Sequence, residues 1–478
     1  MCLQLGFLWF LILPIHHSIG QKRGKKKKKK KGMVLIRAVL SNLLSNLTCS
    51  LNYDALPVST LFKKRKQEFA IMDSIERKKL KEDAINLDML VALPPELREI
   101  IIQKLDLVDY HRVSAVSKSW RSIAIAAKES HCFSLRQLPW LLLSSDKDAH
   151  HGFFSLCHGK IFKLKLPEIC GARCCGSSLG WLIMADEVGG NFLLHPFSRH
   201  RIQLPCQTTL YPFNPYDGFE LWRQDPLYIR KAMLLSPSTV TGMASNASCT
   251  EVVANCVVVV LFASNCLGSC RPGDLTWTDL SEHIPIAVED VIYYNGQLYA
   301  IDVDYDLVLI ELGPCPRGTR LNLLCPAGYD RKYRRGAFIY LVESCGELLM
   351  VLRPWYFLSD GRTRLRHIPP VIATTFDVFK LDFKGRCWIK VESLGDQMLF
   401  VGTSSGVSLS ASNLSGFKEN CIYFTDDNFS VFGPMVDSAE ACCDVGVFSL
   451  EDGSIKSFFP TDSHSSRCPP IWFIPSQL

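Results

Sequence analysis

The stretch that decides the fold is DVIYYNGQLYAIDVDYDLVLIEL, residues 290–312. Two runs of apolar and β-branched residues flank Asn295-Gly296, and a third run, LVLIEL, follows a few residues later. Asn-Gly supplies the positive φ angles of a two-residue hairpin turn, so the first two runs are read as paired antiparallel strands. The same grammar recurs after Cys132: GKIFKLKLPE (159–168), GWLIMADEVGGNFLLHPFSRHRIQLP (180–205), AFIYLVESCGELLMVLR (337–353), FDVFKLDFKGRCWIKVESL (376–394) and VGVFSLEDGSIKSFF (445–459). No helical pattern of ten to fifteen residues intervenes, which disfavours a parallel α/β sheet. Strand pairs returning roughly every 40–50 residues over about 340 residues predict an all-β propeller of six or seven blades. A pair of long sandwiches is the alternative architecture.

Charge separates this body from what precedes it. The whole chain of 478 residues has a net charge of +6. Residues 1–90 hold 18 Lys+Arg against 7 Asp+Glu, leaving 35 against 40 for the remainder. The folded body is therefore mildly acidic, and no nucleic-acid partner is expected. Twenty cysteines are scattered without a single C-x₂-C, and only Cys170/Cys174 and Cys266/Cys270 form C-x₃-C pairs. Zinc sites need closer or doubled pairs, so small buried thiols in a reducing compartment are expected, with no metal and no cofactor.

The N-terminal 71 residues are read as a basic, low-complexity extension. The tract Lys25–Lys31 is expected to stay unfolded, because its like charges repel and it buries nothing. The apolar run at residues 3–15 is short for a membrane span and has no basic residue ahead of it. A secreted or tethered glycoprotein, carrying sugar at Asn46, Asn246, Asn413 or Asn428, is the minor alternative to a nuclear or cytoplasmic protein. MDSIERKKL, from Met72, has the look of a natural start.

Between the two lies LVALPPELREIIIQKLDLVDYHRVSAVSKSWRSIAIAAK, residues 90–128. Pro94 and Pro95 suit a helix start, and Leu97, Ile101 and Leu105 recur at helical spacing. Asp106 can cap a second helix from Leu107, with Asp109 in its first turn and Val113 and Val116 inward. Trp120, Ile123 and Ala127 give a third stripe. Three short helices bury little alone, so a protein partner is expected.

This segment resembles the F-box. The family pattern falls on Leu93, Pro94, Glu96, Leu97, Ile101, Leu105, Asp109, Val116, Lys118, Trp120 and Arg121, with Ser117 where Cys is common. The stretches FFSLCHGKIFKLKLP, RCCGSSLGWLIMADE, LLHPFSRHRIQLP and VFKLDFKGRCWIKVESLGDQMLFVG are similar to the KIB-type, kelch-like propeller of plant F-box proteins. The resemblance places a helical module at 90–130 and a propeller at 139–476. It implies docking to a Skp-type adaptor, and through it a cullin–RING ubiquitin ligase, by Leu93, Pro94, Leu97, Ile101, Leu105, Val116 and Trp120. The propeller would then hold an unidentified protein substrate, and the chain itself would catalyse nothing. A propeller that binds partners without assembling into a ligase is the rival.

Enzyme signals are few. Gly176-Ser-Ser-Leu-Gly180 matches the G-x-S-x-G nucleophile elbow, with Ser178 as nucleophile. That elbow needs a strand entering and a helix leaving, whereas a turn-rich stretch enters here and a strand leaves. Cys174 and Cys175 are expected on opposite faces if the strand already extends that far, too far apart in direction to share a metal. Asp302, Asp304 and Asp306 alternate as they would along one face of a strand, and an acidic solvent face is expected there rather than a calcium or catalytic site.

Overall fold

The computed structural model describes residues 98–129 with short gaps, and 138–475 apart from segments of which the longest are 144–149, 211–228, 237–252, 330–336, 355–374, 426–444 and 458–469. The 1–71 extension, the lysine tract and all four sequon asparagines lie outside the described residues. The chain divides into two compact units, Met1–Phe133 and Ser134–Leu478.

In the first unit, α1 spans Leu107–Ser114 and α2 spans Lys118–Glu129. α1 starts at Leu107 with Asp109 in its first turn, and Asp106, the expected cap, lies outside the described residues. At α2, the Ser117 hydroxyl accepts the Trp120 amide at 3.2 Å, the N-cap bond that this helix start requires. Ile102, Leu105, Tyr110, Val113, Trp120 and Ala124 form one buried cluster.

In the second unit, strand alternation resolves into six sheets, which settles the blade number at six. The first blade holds β1 (Trp140–Leu143), β2 (His150–Ser155) and β3 (Lys160–Lys165). The second holds β4 (Ala172–Ser178), β5 (Trp181–Asp186), β6 (Asn191–Leu194) and β7 (Arg201–Leu204). The third holds β8 (Ile229–Leu235), β9 (Val257–Phe262), β10 (Leu267–Cys270) and β11 (Thr278–Asp279). The opening stretch makes the fourth: β12 (Val288–Tyr294), β13 (Gln297–Asp302), β14 (Leu307–Glu311) and β15 (Arg317–Arg320). The fifth holds β16 (Ala337–Ser344), β17 (Glu347–Pro354), β18 (Asp377–Asp382) and β19 (Cys387–Val391). The sixth has five strands: β20 (Gln397–Val401), β21 (Val407–Ser410), β22 (Cys421–Phe424), β23 (Gly446–Ser449) and β24 (Ile455–Lys456). The last strand, β25 (Ile471–Phe473), pairs with β1 and closes the ring by completing the first blade.

Asn295 and Gly296 have φ of 49° and 79°, as the hairpin turn demands, and Tyr294 pairs with Gln297. The sixth blade departs from a simple meander. β20 turns inward to β21, then the chain returns so that β22 lies parallel to β20.

Apolar faces of neighbouring blades meet in separate buried clusters, as between blades two and three (Trp181, Ile183, Val258, Val260) and between four and five (Ile301, Leu307, Leu341, Met350). Three tryptophans stitch these junctions. Trp277 donates its indole N–H to Pro205 O at 3.0 Å, Trp388 to Tyr305 O at 2.8 Å, and Trp472 to Val401 O at 2.9 Å. Each buries a large ring while satisfying its one polar atom on the backbone of the preceding blade in the ring.

Around the inner strands the links are charged. Asp290 on β12 receives the Lys231 ammonium from β8 and the Leu341 amide of β16 at 2.7 Å, so one carboxylate joins three blades. The pair is buried on both sides, and Lys231 also reaches Val291 O at 3.3 Å.

Candidate functional site

Ser178 was the one sequence signal of a nucleophile. The stretch entering it is a strand, β4, and not the turn expected from its glycines. Gly176 lies within that strand, where a Cβ would overlap the carbonyl of Ala232 on the neighbouring inner strand. Its role is close approach of two backbones rather than turning. Ser178 pairs with Trp181 across Leu179-Gly180, whose φ values of 53° and 79° make a hairpin turn; β5 follows, not a helix. The Ser178 hydroxyl donates to Leu234 O at 3.1 Å, a junction bond to the third blade. A nucleophile at a helix N-terminus is thus excluded by the geometry. Cys174 and Cys175 are both on β4, where the pairing shifts register between Cys174 and Gly176. Cys175 is buried and donates weakly to Arg173 O, while Cys174 donates to Gly176 O.

The acidic triplet does not alternate along a strand. Asp302 ends β13, Asp304 lies in the turn, and Asp306 precedes β14. Asp302 Oδ1 accepts the amides of Asp304 and Asp306 at 2.8 and 2.9 Å, and Arg320 donates to Asp302 Oδ2 at 3.1 Å. Asp306 accepts the amides of Leu307 and Leu323. Asp side chains capping turn amides mimic a period of two in sequence, which is why the strand pattern misled. Burial raises the Asp302 carboxyl above its usual range, opposed by these amide bonds and by Arg320. The cluster clamps a turn. Among the described residues no group of three His, Cys, Asp or Glu side chains is placed to hold a metal ion.

His195 is fully buried against Trp181, with ring centroids 5.4 Å apart. Its Nδ1 accepts the Ser198 amide at 3.2 Å, which leaves the proton on Nε2. Burial, with a smaller contribution from His200, lowers its pKa to about 4, so it is a neutral core residue of the 195–200 turn.

The helical module is the remaining candidate. Trp120 and Leu105 are buried in its own core, and Ile101 is half-buried beside them. Tyr110 donates its hydroxyl to Ala124 O at 3.0 Å and so locks α1 on α2. Arg121 reaches Ser114 O at 3.4 Å across the connection, and Arg98 donates to Ser119 at 2.7 Å. Tyr110 and Ala124 were missed in sequence, since a tyrosine and an alanine between helical stripes carry no signal of their own. Leu93, Pro94, Leu97 and Val116 lie outside the described residues. On the outer side of α2, Ile125 is exposed.

Comparison with known proteins now bears on this arrangement. The F-box domain model matches residues 90–125, and the KIB1-4 β-propeller model matches residues 153–449. The chain belongs to the KIB1-4 β-propeller family. It is similar to an F-box protein of Arabidopsis thaliana, At2g26160, with 27% identity over 70% of this chain and 95% of the relative. The F-box protein SKIP23 of the same plant is 24% identical over 76% of this chain and 90% of its own length. The F-box/kelch-repeat protein KIB1, also from Arabidopsis thaliana, is 24% identical over 77% and 83%. Likeness to solved structures is slight: YCF48 bound to D1 peptide has a TM-score of 0.25 at 11% identity, covering 54% of this chain and 82% of that one. The F-box match thus falls within the first unit and the propeller match within the six-bladed unit. Among the described residues no helix is long and apolar enough to cross a membrane.

Proposed function

We propose that this chain is the substrate-recognition subunit of an SCF-type (Skp–cullin–F-box) ubiquitin ligase, acting in the nucleus or cytoplasm. The observation that supports this most is the pairing, in one chain, of an F-box domain with a KIB1-4 propeller. In this account the helical module at 90–130 docks on a Skp-type adaptor through Leu93, Pro94, Leu97, Ile101, Leu105, Val116 and Trp120. Leu105 and Trp120 contribute from inside the module, because they fix the shape that the others present. The propeller at 139–476 holds the target protein. The chain supplies proximity rather than chemistry: holding a target lysine near a ubiquitin-charged enzyme converts an encounter between two molecules into a reaction within one assembly.

The test is proximity labelling in cells under proteasome inhibition, comparing the full chain with one lacking residues 90–130. Proteins that the full chain labels should accumulate with ubiquitin attached only when 90–130 is present. Equal ubiquitination of those proteins with and without 90–130 overturns the proposal.

A further inference from the structure

The outer rim of a propeller is made of blade-edge strands, and one of them is unlike the rest. β3 is six residues long, against two to five for β7, β11, β15, β19 and β24. Among the described residues it pairs only with β2, so its other edge presents backbone N–H and C=O groups without a strand partner. Its sequence, KIFKLK, carries Lys160, Lys163 and Lys165 and no acid. All three lysines are exposed, and among the described residues none forms an ion pair. Ile161, 41% exposed and opposite Phe154, shares its face with Lys163 and Lys165, while Phe162, on the other face with Lys160, is held by stacking on Trp140 at 5.1 Å. The strand is therefore anchored through Phe162 and, among the described residues, has no strand partner along its other edge.

We propose that β3 is a docking edge for an extended, acidic segment of a partner protein, which adds to the first blade as a fifth strand. Backbone pairing gives such an addition its hold, and the side chains that alternate along it give selectivity. Three lysines repel a second copy of the same edge, and this protects the blade from pairing with itself. Lys163 and Lys165, which share a face, equally favour Asp or Glu at the matching alternate positions of the incoming strand, and Ile161 offers an apolar contact beside them. The site deepens the receptor account, since it names where and by what chemistry a target would be held, and it rests on that account for the partner being a target.

The probe is a fluorescent ten-residue peptide alternating Glu and Val, with a Lys/Val peptide of the same pattern as its counterpart. Polarisation with the full chain should show binding of the Glu peptide and not of the Lys peptide. The triple variant K160E/K163E/K165E should lose roughly tenfold or more of that affinity, because the two charge pairs at Lys163 and Lys165 turn repulsive, and should gain binding of the Lys peptide. Hydrogen exchange should slow at residues 160–165 when the Glu peptide is present, which adhesion by lysine charge alone would not produce. The variant's melting temperature should match the parent's, because the three side chains are exposed. Equal binding of the Glu peptide by parent and variant, no binding at all, or unchanged exchange over 160–165 overturns the proposal. Adaptor binding, measured on the same samples, reports separately on the ligase account.

Discussion

Removing the carboxylate that ties three blades together should be among the most damaging single changes in the propeller. Asp290→Ala leaves Lys231 buried with, among the described residues, the Val291 carbonyl as its ammonium's remaining hydrogen-bond partner, and strips the Leu341 and Val291 amides of the acceptors that now lie at 2.7 and 2.8 Å. Breaking one partner out of a buried pair costs about 3–5 kcal/mol, and each amide left without an acceptor adds to that. Set against a total stability of about 5–15 kcal/mol, the loss is a large share of the whole. In thermal unfolding followed by circular dichroism, the midpoint should fall by on the order of 10 °C. The cost comes chiefly from the stranded charge, so K231M/D290N, which removes the charge and keeps an acceptor, should recover most of the loss. A single variant melting within about a degree of the parent, or a double variant no better than the single, would refute this account of the junction.

Other expectations follow from named contacts. Gly176→Ala should destabilise by about 1–3 kcal/mol in urea titration, since a Cβ there overlaps the Ala232 carbonyl of a backbone that has little room to move. Folded His195 titrates near 4 while the unfolded chain takes up that proton near 6.5. Stability should therefore fall as pH drops from about 6.5 towards 4, by up to about 3 kcal/mol, and His195→Phe should lack that share of the pH dependence. Ser178 should remain unlabelled by a fluorophosphonate probe, because its hydroxyl is committed to Leu234 O and no helix follows it.

Much of the propeller was legible because its inner strands obey local rules. In residues 290–312, the Asn-Gly turn and the apolar runs around it specified two strands and their register without outside help. Long-range features were not legible. The parallel return of β22 beside β20 joins residues across an intervening strand, and no local pattern encodes that order. Gly176 shows a second limit: a glycine kept for a positive φ and one kept for a close neighbour look identical in a single sequence. Asp302, Asp304 and Asp306 show a third, since carboxylates that cap turn amides repeat at the same interval as residues on a strand face. In the helical module, the spacing from Leu93 to Trp120 carried the family pattern, yet spacing alone does not separate residues such as Trp120, turned into the module's core, from those left outside.

The central claim is that residues 90–130 bind a Skp-type adaptor, and titration calorimetry of the full chain against that adaptor tests it most directly. The parent chain should bind one adaptor per chain, and L93A/P94A should weaken binding at least tenfold while the propeller's melting temperature stays unchanged. Equal affinity of parent and variant, or no binding by the parent, would contradict it.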